Sequence, residues 1–102
     1  MKILYSQNAS ADLEEIFAYI ARDNPIAADA VVRRVEDIVT RLAAFPGTGH
    51  ECNISGVRVA PLVRYPYSIY YTVERDALVI LHVRHGARRP PGLHEPAQSF
   101  IP

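Results

Sequence analysis

The sequence predicts an α+β domain, an antiparallel sheet with an N-terminal helical hairpin packed on one face. Apolar residues recur at helical spacing through the first 45 positions, and Asn24-Pro25 cuts that pattern in two. Strand-forming runs fill the region after residue 56, the middle one alternating apolar and polar. Helices first and strands afterwards, in the order β-α-α-β-β-β, give a layer of helices on a layer of sheet.

Lys2 to Tyr5 reads as a short strand, and Ser6 as the N-cap of the first helix. Ala9, Leu13, Ile16, Phe17 and Ile20 share one face of that helix and leave Asp12, Glu14, Glu15 and Arg22 for solvent. The early carboxylates also suit the positive end of the helix dipole. Pro25 disfavours helical geometry at Asn24 yet fits the first turn of a new helix, which the Asn24 side chain can cap. The second helix is expected to reach about Ala44. Its stripe is Ala28, Val31, Val32, Val35, Ile38, Val39, Leu42 and Phe45, ended by Pro46-Gly47. A connection as short as Asp23-Asn24 makes the pair an antiparallel hairpin. Many stripe residues are β-branched, a mild cost in helix propensity that the pattern outweighs.

Pro46 to Gly56 reads as a loop with three glycines. Strands are predicted at Val57–Ala60, Tyr67–Val73 and Leu78–Arg84, with a tight turn over Glu74–Ala77 and a stop at Gly86. In the middle strand Tyr67, Ile69, Tyr71 and Val73 oppose Ser68, Tyr70 and Thr72. The domain is expected to span 1–90. A Pro-rich tail over 91–102 has no periodicity and reads as poorly ordered or ordered by a partner.

A chain of 102 residues supports one core and buries about 65% of its unfolded surface. With 49% hydrophobic and 22% charged residues it is not of disordered composition. Net charge is zero, yet ten of the eleven basic residues are arginine. Arginine grips phosphate or carboxylate through two bonds, although a GC-rich genome also raises arginine usage. A single cysteine, Cys52, precludes an intrachain disulfide and fits a reducing cytoplasm. No apolar run is long enough for a signal peptide or a membrane span, so a soluble cytoplasmic protein is expected.

The window Arg58–Arg89 carries six arginines and four tyrosines against only Glu74 and Asp76, 6 − 2 = +4. Such a sheet suits an anionic ligand or an acidic protein segment; the alternative is a solvated sheet face. With helices on one face, the other face is the default site. Arg64 precedes the central strand, while Arg84, His85 and Arg88 lie at and beyond the end of the last. Adjacent antiparallel strands can bring these to one end of the sheet, where arginines would hold phosphate and His85 act as acid or base. They could instead bond loop carbonyls or the carboxylates of Glu51, Glu74 or Glu95. Tyr65, Tyr67, Tyr70 and Tyr71 could stack unpaired bases, but strand tyrosines more commonly lie half-buried. His50, His82, His85, His94 and Cys52 match no zinc spacing, and no metal or cofactor is expected. No phosphate-binding glycine loop or nucleophile motif occurs.

Three strings carry a resemblance. Ala11-Asp12-Leu13-Glu14-Glu15-Ile16 with Tyr19-Ile20, then Arg64-Tyr65-Pro66-Tyr67-Ser68-Ile69-Tyr70-Tyr71, then Val83-Arg84-His85-Gly86-Ala87-Arg88-Arg89-Pro90 resemble, in that order, the RelE/ParE-type toxins of bacterial type II toxin-antitoxin pairs. The resemblance covers residues 1 to about 90. It implies either of two targets. RelE-like members cut messenger RNA in the ribosomal A site, and ParE-like members inhibit DNA gyrase without a nuclease site. Arg64 matches the phosphate-binding arginine of RelE-like enzymes and Arg88 their second arginine. The first strand after the helices, however, has only Arg58 in place of a lysine-rich patch, and no tyrosine follows Tyr71. The His85-Gly86-Ala87-Arg88 string is closer to the ParE-like branch.

The expectation is therefore a ParE-like toxin rather than an enzyme. It would be neutralised by a cognate, ParD-like antitoxin in a hetero-oligomer, with gyrase as target, a part in plasmid stabilisation, and no sequence-specific nucleic-acid binding. Arg58, Arg64, Tyr70, Arg84, His85, Arg88 and Arg89 are the expected antitoxin- or target-binding residues. The alternative is a ribosome-dependent endoribonuclease using Arg64, His85 and Arg88, or a non-toxic binding module of the same fold.

Overall fold

Two side-chain caps start the helices where the sequence places them. The Ser6 hydroxyl accepts from the Ala9 N–H at 3.0 Å and opens α1 (Gln7–Ala21). Asn24 Oδ1 accepts from the Ala27 N–H at 3.0 Å and opens α2 (Pro25–Ala44). The structure, a computed structural model, describes residues 1–86. Arg88, Arg89 and the expected tail over 91–102 lie outside the described residues.

The strands are β1 (Lys2–Tyr5), β2 (His50–Glu51), β3 (Arg58–Pro61), β4 (Tyr67–Glu74) and β5 (Ala77–His85), in sheet order β1-β5-β4-β3-β2. The α+β class holds, but the sheet is mixed. β1 runs parallel to β5, whereas every other neighbour is antiparallel. A parallel neighbour needs a long crossover, and the helices and intervening strands supply it. The glycine-containing segment expected as loop holds a 3-10 turn (Pro46–Thr48) and the two-residue β2.

The core lies between the hairpin and one sheet face. Val31, Val35, Val39 and Leu42 of α2 pack on Ile69, Tyr71, Leu78 and Ile80, each under 4% exposed. α1 is covered less well. Leu13, Ile16 and Ile20 are only partly buried, and Phe17 and Tyr19 stand 40% and 70% exposed. Phe45, expected in the α2 stripe, is its exposed C-cap.

The opposite sheet face is not open as expected. The 52–57 segment folds over it, and Cys52, Ile54 and Val57 pack on Tyr70, Val79 and Leu81 as a second apolar cluster.

A bulge sets the faces of β5. Tyr70 stands opposite His82 but Tyr71 opposite Ile80, so Leu81 is an extra residue and the alternation changes phase there. Leu78 and Ile80 face the helices, and after the bulge Val83 does so again. β1 stops pairing at Ile80, and α1 side chains then serve the β5 edge. The Ser6 hydroxyl donates to the Leu81 carbonyl at 2.9 Å. Asp12 Oδ2 accepts from the Val83 N–H at 3.0 Å and lies 3.0 Å from His82 Nδ1. Asp12, expected in solvent, therefore joins α1 to the sheet.

Candidate functional site

The β3–β4 connection presents Arg64 in an unusual way. Leu62 N–H donates to the Tyr67 carbonyl and the Arg64 N–H turns back onto the Leu62 carbonyl at 2.8 Å, two residues apart. Val63, between them, has φ 70 and is 78% exposed. A β-branched residue in the left-handed region is strained by about 1–3 kcal/mol, and such strain persists where surrounding contacts enforce it. The contact here is Arg34 of α2, whose Nε donates to the same Leu62 carbonyl at 3.4 Å.

The turn thereby sets Arg64 beside α2. A pocket of about 390 Å³ is lined by Arg33, Arg34 and Arg64 with Asp37, Tyr65 and Ala30. Arg33 also pairs with Asp29 one helical turn away at 3.0 Å, an exposed pair of small energetic weight. Three guanidinium groups against one lining carboxylate give the pocket a cationic lining, the chemistry that carboxylate or phosphate oxygens match. Arg33 and Arg34 lie between the stripe positions Val32 and Val35 of α2, where helical periodicity gives no signal of a site.

Arg84 and His85 lie at the same end of the sheet but do not join Arg64. His85 stands opposite Tyr67, with ring centroids 5.4 Å apart at 83°, on the helix side. It lines a separate groove of about 700 Å³ with Asp12, Glu15, Tyr19 and Pro66. Arg84 stands opposite Ser68 and so belongs to the other face, where its charge acts on the Tyr70 phenol. Arg64 and His85 line different pockets, and Arg84 and His85, neighbours along β5, stand on opposite faces of the sheet. Arg88 and Arg89 lie outside the described residues.

Two of the expected binding residues make structural contacts. Arg58 Nη2 donates to the carbonyls of Gly47 and Gly49, and Nη1 lies 3.9 Å from Glu51. Its cross-strand neighbour Tyr71 fixes the same segment, donating to the Pro46 carbonyl at 2.6 Å and accepting from the Gly49 N–H at 3.1 Å. Gly49 is required there, since a Cβ would come 2.3 Å from the Tyr71 hydroxyl and 2.9 Å from the Val59 carbonyl. Tyr70 is 8% exposed within the second cluster, so its ring is not offered to a ligand. Burial pushes its phenol above the ordinary value, the Cys52 thiol adds to this, and Arg84 opposes it. Tyr67 and Tyr71, 9% and 0% exposed, are likewise unable to stack bases. Among the described residues no group of His, Cys, Asp or Glu is arranged to hold a metal ion, and no helix is long and apolar enough to cross a membrane.

Comparison with known proteins decides the family. The model of the family described as "ParE toxin of type II toxin-antitoxin system, parDE" matches residues 3–90. The chain belongs to the ParE toxin family. Its relatives bear this out. Y4kP of Sinorhizobium fredii is 38% identical over 88% of this chain and 93% of its own length. Toxin RelE2 of Caulobacter vibrioides is 30% identical over 85% of this chain and 97% of its own length. A chain of the chromosomal ParDE TA system from P. aeruginosa superposes with a TM-score of 0.73 at 28% identity, covering 83% of this chain and 95% of that one. ParE-family membership thus accounts for the helical hairpin and the mixed sheet together.

Proposed function

We propose that this chain inhibits DNA gyrase and is neutralised by a cognate antitoxin, whose acidic segment places carboxylates in the pocket of Arg33, Arg34 and Arg64. Arg84, Arg88 and Arg89 are proposed as further contacts for antitoxin or target. The observation that carries this reading is that Arg64 and His85 line two different pockets. A nuclease needs its phosphate-binding arginine and its acid/base within reach of one phosphodiester. Here Arg64 opens beside α2, while His85 lies in a groove walled by two carboxylates. An inhibitor has no such requirement. Disordered acidic segments cover large surfaces and can reach arginines that face different ways. The kinship to a ParDE TA system supports an antitoxin partner, and the family match supports the gyrase-directed branch.

The test is pulse labelling of DNA and protein synthesis within minutes of inducing the chain without antitoxin. DNA synthesis is expected to stop while translation continues. Early collapse of translation would instead select ribosome-dependent RNA cleavage, the second reading, which the relative named RelE2 favours. Codon-dependent ends in translated messages, lost on His85→Ala, would identify it.

A further inference from the structure

The groove that holds His85 is chemically the opposite of the arginine pocket, and the 62–66 loop borders both. Arg64 and Tyr65 line the pocket, and Pro66 lines the groove. Asp12, Glu15, Ile16 and Tyr19 of α1 fall at i, i+3, i+4 and i+7 and present one stripe to it. Ile16, Tyr67 and Val83 give it an apolar lining, and among the described residues no arginine or lysine lines it. Asp12 is committed to the Val83 N–H and His82, whereas Glu15 is exposed. The Tyr19 ring stands 70% exposed on a helix whose apolar stripe the sheet covers only in part.

We infer that this groove is a slot for an arginine side chain of the antitoxin. The inference rests on the antitoxin reading given above. An apolar lining receives the aliphatic stem, Tyr19 offers a face to the guanidinium, and Glu15 accepts its fork. A purely apolar side chain would leave Glu15 facing a dry neighbour, and an acidic one would meet two carboxylates. Charge complementarity therefore selects a cation. It also fixes polarity, because a segment crossing the 62–66 loop must carry its acid at the pocket and its base at the groove. Specificity among related antitoxins follows from the order of those two charges, since a reversed order places like charges together at both points.

The experiment is titration calorimetry of the antitoxin encoded beside this chain against the full chain and its variants. Glu15→Lys is expected to weaken binding by about tenfold or more, and Tyr19→Ala by about threefold to tenfold. Glu74→Lys, which reverses an exposed charge at the end of β4, is expected to stay within about twofold. Unchanged affinity for Glu15→Lys would overturn the slot, and so would an equal loss from Glu74→Lys, which would report general charge alone. Tighter binding after Arg88→Ala with Arg89→Ala would assign the slot to this chain's own arginines and overturn the choice of occupant. A wild-type chain that fails to bind the antitoxin removes the antitoxin reading, and the slot is then judged with N-acetylarginine amide by NMR. Shifts at the Glu15 and Tyr19 amides that N-acetylglutamine amide does not produce would uphold a cation slot. Identical responses to both amides would overturn it.

Discussion

Replacing Asp12 with alanine tests the joint between α1 and the edge of β5. One oxygen, Oδ2, accepts from the Val83 N–H and lies against His82 Nδ1, both at 3.0 Å. Val83 and His82 are 2% and 4% exposed, so water does not readily replace the carboxylate. A hydrogen bond to a charged acceptor contributes about 1.5–3 kcal/mol net, and a buried donor left unmet costs about 1–3 kcal/mol. Partial relaxation of the helix end brings the expected loss to about 3 kcal/mol. At this chain length that lowers the melting temperature by roughly 12 °C. Urea unfolding followed by far-ultraviolet circular dichroism should show a lower midpoint with an unchanged slope, since the native surface is kept. Asp12→Asn retains an oxygen for the Val83 N–H and should lose about half as much. The loss should be nearly equal at about 0.05 M and about 0.5 M salt, because part-buried pairs are weakly screened. A loss below about 0.5 kcal/mol for Asp12→Ala, the scale of an ordinary surface change, would refute the joint.

Val63→Gly should stabilise the fold by about 1 kcal/mol by releasing strain at φ 70, with no packing lost from a side chain 78% exposed; destabilisation in the same urea assay would mean the turn is not strained. Tyr71→Phe leaves the buried Gly49 N–H without its acceptor and should cost about 1–3 kcal/mol in thermal unfolding. Arg64→Glu should leave the melting temperature within a few degrees of wild type and weaken antitoxin binding by about tenfold or more in calorimetry; unchanged affinity would remove Arg64 from the contact. Burial holds the folded Tyr70 phenol above its ordinary value of 10.0, so the folded state keeps that proton more tightly than the unfolded one. Its contribution is full below pH 10.0 and is lost as pH rises through the folded value. Urea midpoints should accordingly fall less steeply above that pH for Tyr70→Phe than for wild type.

Both helices were legible almost to the residue, because Ser6 and Asn24-Pro25 are local signals whose hydrogen bonds close within one turn. The pattern over Tyr67–Val73 was legible for the same reason, and Tyr67, Ile69 and Tyr71 do face the helices. What sequence periodicity does not carry is the partner. The parallel pairing of β1 with β5 depends on a crossover of the whole chain, and β2 is two residues held by Arg58 and Tyr71 from other strands. Phe17 illustrates the same limit on α1. An apolar residue at the right spacing faces the core only if the sheet extends beneath it, and Phe17 remains 40% exposed.

The bulge at Leu81 explains why the candidate site was the least legible part. Strict alternation along β5 would set Leu78, Ile80, His82 and Arg84 on one face and Val79, Leu81, Val83 and His85 on the other. One extra residue exchanges the faces beyond it, so Val83 and His85 turn to the helices and Arg84 turns away. The bulge falls just past Ile80, where β1 ends its pairing, and the Leu81 carbonyl and Val83 N–H are met by Ser6 and Asp12. Beyond the end of β1, Ser6 at the cap of α1 and Asp12 within it meet two groups on the β5 edge, and the local phase change aims those groups at them. The same step turns His85 to the helix side, where it lines one groove with Glu15. The arginine-lined pocket beside α2 and the groove lined by Asp12 and Glu15 lie on either side of the 62–66 loop, whose turn is strained at Val63. That separation suits a chain that is held by an extended partner better than one that must gather its charges around a single scissile bond.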